Sequence, residues 1–311
     1  MAEEAKPSTP PAKAKEPREA TDVKGAKAQK ASGGKPDLAT LLGLVLALGG
    51  ILGGLIIEGG KIKDILQFTA AMIVLGGTIG AVMIATPMRV LKGAMHRLIG
   101  VFLDKTPSFS NLIENLVGYA TKARKGGLVG LEEDAMATPD PFLQKALMLV
   151  VDGTDLQELR TMLEIDITLD EHHGEAEAKV FESAGGFSPT IGIIGAVLGL
   201  IQVMKNLANI DEVGHGIAVS FVATVYGVGA ANLLFLPAAA KIKASIQLET
   251  QRKEMILEAA SGIIEGLNPK IIRAKLAGYA QNESVKAKKT KEKTADTKAK
   301  VDQKIPAPAK A

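Results

Sequence analysis

The chain has 311 residues, with 37 lysines and arginines against 34 aspartates and glutamates, a net charge of +3, and neither cysteine nor tryptophan. Without cysteine there are no disulfides, thiolate metal sites or cysteine nucleophile in any compartment. Nucleic-acid binding by the basic tails is the weaker reading, because their lysines are interleaved with Ala, Glu, Asp and Thr and lack the aromatic residues that stack on bases.

In chain order, residues 1–36 hold too few large apolar residues to build a core and are expected to be a disordered tail. They show no cleaved-signal pattern, so the first apolar block is expected to remain as an anchor. Hydrophobicity then concentrates in four blocks, at about 38–57, 65–86, 187–204 and 215–240. Each approaches the roughly 20 residues needed to span a bilayer as a helix, and none has an internal acid or base. The expected class is therefore all-α: a polytopic membrane protein with four transmembrane helices and a helical cytoplasmic domain. Helices 1 and 2 fall in 37–86 and helices 3 and 4 in 187–240.

The segment 87–186 between the second and third spans has helical periodicity. NLIENLVGYATKARK is interrupted by Gly126-Gly127, LVGLEEDAM resumes, and a further helix follows Pro139-Asp140-Pro141. Another begins near Thr154 and continues toward Val180, and Gly185-Gly186 with Pro189 is expected to break or kink the chain at the membrane entry. Residues 241–281 continue as cytoplasmic helices, an amphipathic one to about Gly266 and a short one after Pro269. Residues 282–311 form a second disordered, lysine-rich tail.

Basic residues number 8 in 1–37, 2 between the first two blocks, 10 in 87–186, 1 between the last two blocks and 16 after residue 240. By the positive-inside rule both termini and the central segment are cytoplasmic.

The chemistry available is sparse. His172-His173 beside Glu171 and Glu175 do not make a metal site, since adjacent helical residues diverge by about 100°. No phosphate loop or nucleophile elbow is present, so neither an enzyme nor a cofactor is expected. Ion conduction through hydrocarbon calls for an acid, base or other ionisable group at depth, and the polar groups singled out in the spans are hydroxyls: Thr78, Thr190, Ser220 and Thr224. Such hydroxyls commonly bond their own helix backbone. Gly192, Gly195, Ala196 and Gly199 recur at helical spacing in SPTIGIIGAVLGLIQVM, leaving one face of the third span nearly bare and able to receive another helix.

The succession GGILGGLIIEGG, IVLGGTIGAVMIATP, ARKGGLVGLEED, DPFLQKALMLVVDGTD, SPTIGIIGAVLGLIQVM and GIAVSFVATVYGVGAANLLFLPAAAKIK resembles the MotA/PomA family of flagellar stator subunits over about 37–280. ExbB and TolQ belong to the same wider superfamily but have three spans and a different topology. The resemblance implies a subunit of the bacterial inner membrane, in contact with lipid, five copies of which surround a MotB-like, peptidoglycan-anchored partner. The partner's aspartate would carry the ion, its helices would lie on the glycine-rich faces, and the cytoplasmic helices would push the rotor switch protein FliG.

Residue by residue, Arg124 and Glu132 match the torque-bearing charges, with Lys125 and Glu133 beside them. Pro189 and Pro237 match the hinge prolines of the third and fourth spans, and Thr224 matches the threonine lining the ion path. Where sodium-type members carry threonine this chain has Ala196. Sodium needs oxygen ligands, so the missing hydroxyl favours a transported proton, although Thr190 lies close enough in sequence to lend an oxygen. The alternatives are an ExbB/TolQ-like energy-transducing channel subunit and a membrane scaffold without ion flow.

Overall fold

A computed structural model describes residues 35–36, 38–101, 103–104 and 109–279; the two predicted tails lie outside them, apart from Lys35 and Pro36. The described residues are mostly helical, with short turns between the helices and a two-residue antiparallel pairing of Lys35–Pro36 with Leu103–Asp104. Helices α1 (Leu38–Ile57) and α3 (Phe68–Ala85) flank the single turn α2 (Ile62–Ile65), and α4 (Met88–Val101) follows Pro87. A central group comprises α5 (Phe109–Gly126), a 3₁₀ turn (Leu128–Leu131), α6 (Glu132–Ala137) and α7 (Pro141–Val151). Then come α8 (Leu156–Lys205), α9 (Ile210–Ala230), a π turn (Ala231–Phe235), α10 (Leu236–Ile264) and α11 (269–279).

Four of these helices are long and apolar enough to cross a membrane: α1, α3, the second half of α8, and α9 with its continuation. Their apolar side chains are largely uncovered by the rest of the chain, with Ile84 90% exposed and Phe68 81% exposed. Those surfaces are stable only against lipid or another chain.

The dominant feature is a long antiparallel hairpin. Its first arm is α8, 50 residues and about 75 Å long at helical rise. Its second arm runs through α9, the π turn and α10 without interruption. Of the break or kink expected at Gly185-Gly186 with Pro189, the break is absent, and so is the helix end near Val180: α8 passes through all of them to Lys205. Packing accounts for this. A side-chain carbon on Gly185 would lie 2.6 Å from Leu236, so this glycine is where the other arm presses against the helix. Pro189 forfeits one backbone hydrogen bond, while beside it the Ser188 hydroxyl donates to the Gly227 carbonyl at 3.0 Å and ties the arms together. The sequence boundaries at 186/187 and 240/241 thus fall inside continuous helices. The start expected near Thr154 falls two residues later, with Asp155 as the cap accepting from the Gln157 amide at 2.9 Å.

In the fourth span, the proline at 237 has no amide proton to donate and its ring crowds the preceding turn. The π turn immediately before it widens the helix, and the arm continues.

Outside the spans, α5, the 3₁₀ turn, α6, α7, the start of α8, the end of α10 and α11 enclose one core, with Phe109, Leu116, Leu131, Leu147, Leu159 and Leu163 almost fully buried. Asp140 caps α7, accepting from the Phe142 amide at 3.1 Å, and also pairs with Arg252 of α10. Lys253, the next residue, is buried, paired with Asp170 and 5.5 Å from the centre of the Phe142 ring. A second core joins Val82 of α3 and Ala94 of α4 to both arms. A third packs Ala70 and Val74 of α3 on Val219, Val222 and Ala223 of α9.

Candidate functional site

The seam between α8 and α9 inside the spans is built from small residues. A side-chain carbon on Gly192 would come within 3.0 Å of the Ala223 carbonyl, on Gly195 within 2.8 Å of the Ala223 methyl, and on Gly199 within 2.3 Å of the Ser220 hydroxyl. The glycine stripe expected to receive a partner's helix is therefore filled by the chain's own fourth span. The physical reason is contiguity: α9 follows α8 after a four-residue connection and carries its own small face, Gly216, Ser220, Ala223 and Gly227, so backbones meet at minimal distance.

Each hydroxyl singled out in the spans bonds a backbone carbonyl. Thr78 donates to Val74 at 2.6 Å, Thr190 to Phe187 at 2.8 Å, and Thr224 to Ser220 at 3.2 Å. Ser220 is bifurcated, reaching Gly216 at 3.0 Å on its own helix and Ala196 at 2.8 Å on the neighbouring one. With their protons engaged, these oxygens keep lone pairs to accept a hydrogen bond or meet a cation. Ala196 and Thr224 are both half-buried at the edge of this seam, with Ser220 between them in register; Thr190 is exposed and lies apart from it. Pro189 is half-buried against Gly227, and Pro237 is exposed.

Two polar contacts escaped the sequence reading. Ser188, fully buried, supplies the cross-arm bond beside Pro189. Tyr226 donates to the Ile65 carbonyl at 2.5 Å and accepts from the Gln67 amide at 3.3 Å, fastening the α2–α3 connection to the fourth span. A lone tyrosine in an aliphatic span was the available signal, since a buried phenol requires a partner.

The second site is the turn between α5 and α6. Arg124 and Lys125 occupy the last turn of α5, and Glu132 and Glu133 the first turn of α6. Each pair sits where the helix dipole favours its sign, and all four side chains are exposed. Gly127, at φ +80°, makes the reversal between them, a conformation that side chains other than glycine rarely adopt. Lys122 and Asp134 close the turn with a 2.7 Å ion pair. The hydrogen bond from its ammonium to Asp134 raises the Lys122 pKa above its ordinary value; slight desolvation opposes this and the charges of Asp134 and Glu133 add to it. With that pair holding the base, Arg124, Lys125, Glu132 and Glu133 stay available for an external surface. No group of three or more histidines and carboxylates able to hold a metal exists among the described residues, His172-His173 included.

The architecture defines a class: a four-span helical membrane protein whose third and fourth spans run on, as one hairpin, into a helical domain bearing a charged turn. The N-terminal domain model of motility protein A matches residues 41–127, and the MotA/TolQ/ExbB proton channel family model matches residues 134–255. Motility protein A of Helicobacter pylori is 36% identical over 78% of this chain and 95% of its own length. The solved structure of C. jejuni MotAB aligns with a TM-score of 0.75 at 34% identity, covering 78% of this chain and 95% of that one. The flagellar MotAB stator complex from Bacillus subtilis aligns with a TM-score of 0.72 at 32% identity over the same shares. The chain belongs to the motility protein A family.

Proposed function

We propose that this protein is a stator subunit of a bacterial flagellar motor, working with a MotB-like, peptidoglycan-anchored partner to turn proton flow into torque. One observation carries the reading: the two helices that flank the ion-path residues are the same two that reach the domain holding the charged turn. A movement at Ala196 and Thr224 is thereby delivered to Arg124 and Glu132 through two continuous rods. Relatives described as MotAB complexes support the partner.

The chemistry agrees. From Gly216 to Ala240 and from Ser188 to Met204 there is no Asp, Glu, His, Lys or Arg, so the titrating carboxylate at membrane depth comes from the partner. Because α9 occupies the glycine stripe, the partner's helix meets the half-buried edge at Ala196 and Thr224. Ala196 offers that edge a methyl where a sodium site would want an oxygen, which favours protons.

Five copies form the ring, the membrane is the inner membrane, both termini are cytoplasmic, and Pro189 and Pro237 flex during a step. Exposed complementary charges suit a fast, repeatedly broken contact with FliG better than tight binding. Deleting the gene leaves flagella that are built but do not rotate, and full motility in that strain overturns the assignment. A proton uncoupler stops swimming while collapse of a sodium gradient does not; the reverse pattern overturns the choice of ion.

A further inference from the structure

Helix α4 has no assigned role: it lies between the second span and the core that carries the charged turn. It packs along both arms of the hairpin just outside the spans, through Ala94 against the core that includes Ala178, Phe181 and Ile242. Its Arg97 turns inward. The Nε donates to the Glu177 carboxylate of α8, and Nη1 lies 3.9 Å from the Glu249 carboxylate of α10. One guanidinium thus bonds α8 and lies within ion-pair range of α10. Its neighbours Arg89, Lys92 and His96 are exposed and stand in none of these contacts.

The surrounding backbone is shaped for this contact by two glycines on different helices. A side-chain carbon on Gly93 of α4 would fall 1.9 Å from the Glu177 Oε1, and one on Gly174 of α8 would fall 2.8 Å from Ile246 and 3.5 Å from the Arg97 Nη2. Any larger residue at 93 displaces the carboxylate that Arg97 holds. Glu177 is only 19% exposed and Arg97 31% exposed, so the pair is partly withdrawn from water. Removing the cation leaves a half-buried carboxylate with no counter-ion on α4.

We propose that Arg97 is a positioning residue for torque transmission: it clamps the extension of the second span to the α8/α10 hairpin, so that all three helices move as one lever. The clamp touches neither the ion-path edge nor the charged turn. Its loss therefore uncouples movement from ion flow and leaves flow itself intact. This inference rests on the stator reading above, and its first test is independent of that reading.

The chain lacks cysteine, so exposed positions 95 and 179 can be spin-labelled as Met95→Cys and Lys179→Cys in the purified complex with its partner. The distance distribution between α4 and α8 is narrow in the parent and broadens in Arg97→Ala and in Gly93→Ala. An unchanged distribution in both overturns the clamp. In cells, with membrane levels matched by immunoblot, Arg97→Ala and Gly93→Ala lower the torque delivered per unit proton flux in turning motors by about two-fold or more. The exchange of Arg97→Glu with Glu177→Arg restores most of it. Torque and flux falling in proportion, or no recovery in the exchange, reduces the pair to a fold contact and overturns the proposal. Broadened distances in a parent protein that cannot restore rotation to a stator-deleted strain leave the clamp standing and sink the stator reading.

Discussion

Substituting Gly227→Ala tests the central claim of the fold, that α8 and α9 meet backbone to backbone. The new methyl would sit 2.6 Å from the Ser188 carbonyl oxygen, 3.0 Å from the Gly192 Cα and 3.3 Å from the Pro189 Cα. All three are backbone atoms, so no side chain can rotate aside. Carbon and oxygen want more than 3 Å, and the helices must part by roughly half an ångström, loosening dispersion contacts along the seam. Overpacking of this kind costs about 1–3 kcal/mol, offset by up to about 1 kcal/mol from alanine's better helix propensity.

Gly229→Ala, two residues on, is the control: nothing lies within 4 Å of its new carbon, so only the propensity gain remains. Thermal unfolding of the detergent-solubilised complex reads the difference, with Gly227→Ala destabilised by about 1–2 kcal/mol and Gly229→Ala unchanged or slightly stabilised. Equal stability of the two variants would refute the close seam, and with it the argument that α9 has taken the glycine face. Motility should fall with Gly227→Ala in the same order, because the Ser188 bond to the Gly227 carbonyl, 3.0 Å long, lies beside Pro189.

Three further outcomes are expected. Arg273 grips Glu114 with two bonds of 2.5 and 2.6 Å, and chiefly that hydrogen bonding, against slight desolvation and with added Coulomb attraction, holds the Glu114 carboxyl below its ordinary pKa. The contribution is fully present above the unfolded carboxylate value and fades as pH falls through the lower folded value. Protection of the 269–279 amides, measured as exchange relative to the intrinsic rate at each pH, therefore falls on acidification in the parent, and Glu114→Gln removes that dependence; identical pH profiles of protection would contradict it. Asp140→Ala removes the cap of α7 and leaves Arg252 without its carboxylate, costing about 1–3 kcal/mol in denaturant unfolding of the extramembrane domain. Reversing Arg124 or Glu132 costs only about 1 kcal/mol, since both side chains are exposed and what changes is their interaction with the helix dipole. Tethered-cell torque nevertheless drops, and parental torque would remove these residues from the rotor contact.

Local chemistry alone determined much of this protein. Apolar length without internal charge marks the four spans, because unpaired backbone and charge are intolerable in hydrocarbon. The Gly126-Gly127 reversal and the Asp140-Pro141 helix start are equally legible, because each depends on neighbours in sequence. Arg124 could be placed before the Gly126-Gly127 reversal for the same reason, whereas Glu132 opens α6 only because Leu128–Leu131 forms a 3₁₀ turn.

Tertiary structure decided the rest. Gly185-Gly186 and Pro189 are helix breakers in isolation, yet the helix runs on because the opposite arm supplies Leu236, Gly227 and the Ser188 bond along its length. The glycine stripe of the third span announced a close-packed helix but not which one, since a bare backbone face fits any small-faced partner. Only the short connection to α9, with its matching Gly216, Ser220, Ala223 and Gly227, assigned it to the same chain. Arg97 illustrates the same limit: in sequence it is one basic residue among several on α4, and only the approach of Glu177 and Glu249 from two distant segments distinguishes it.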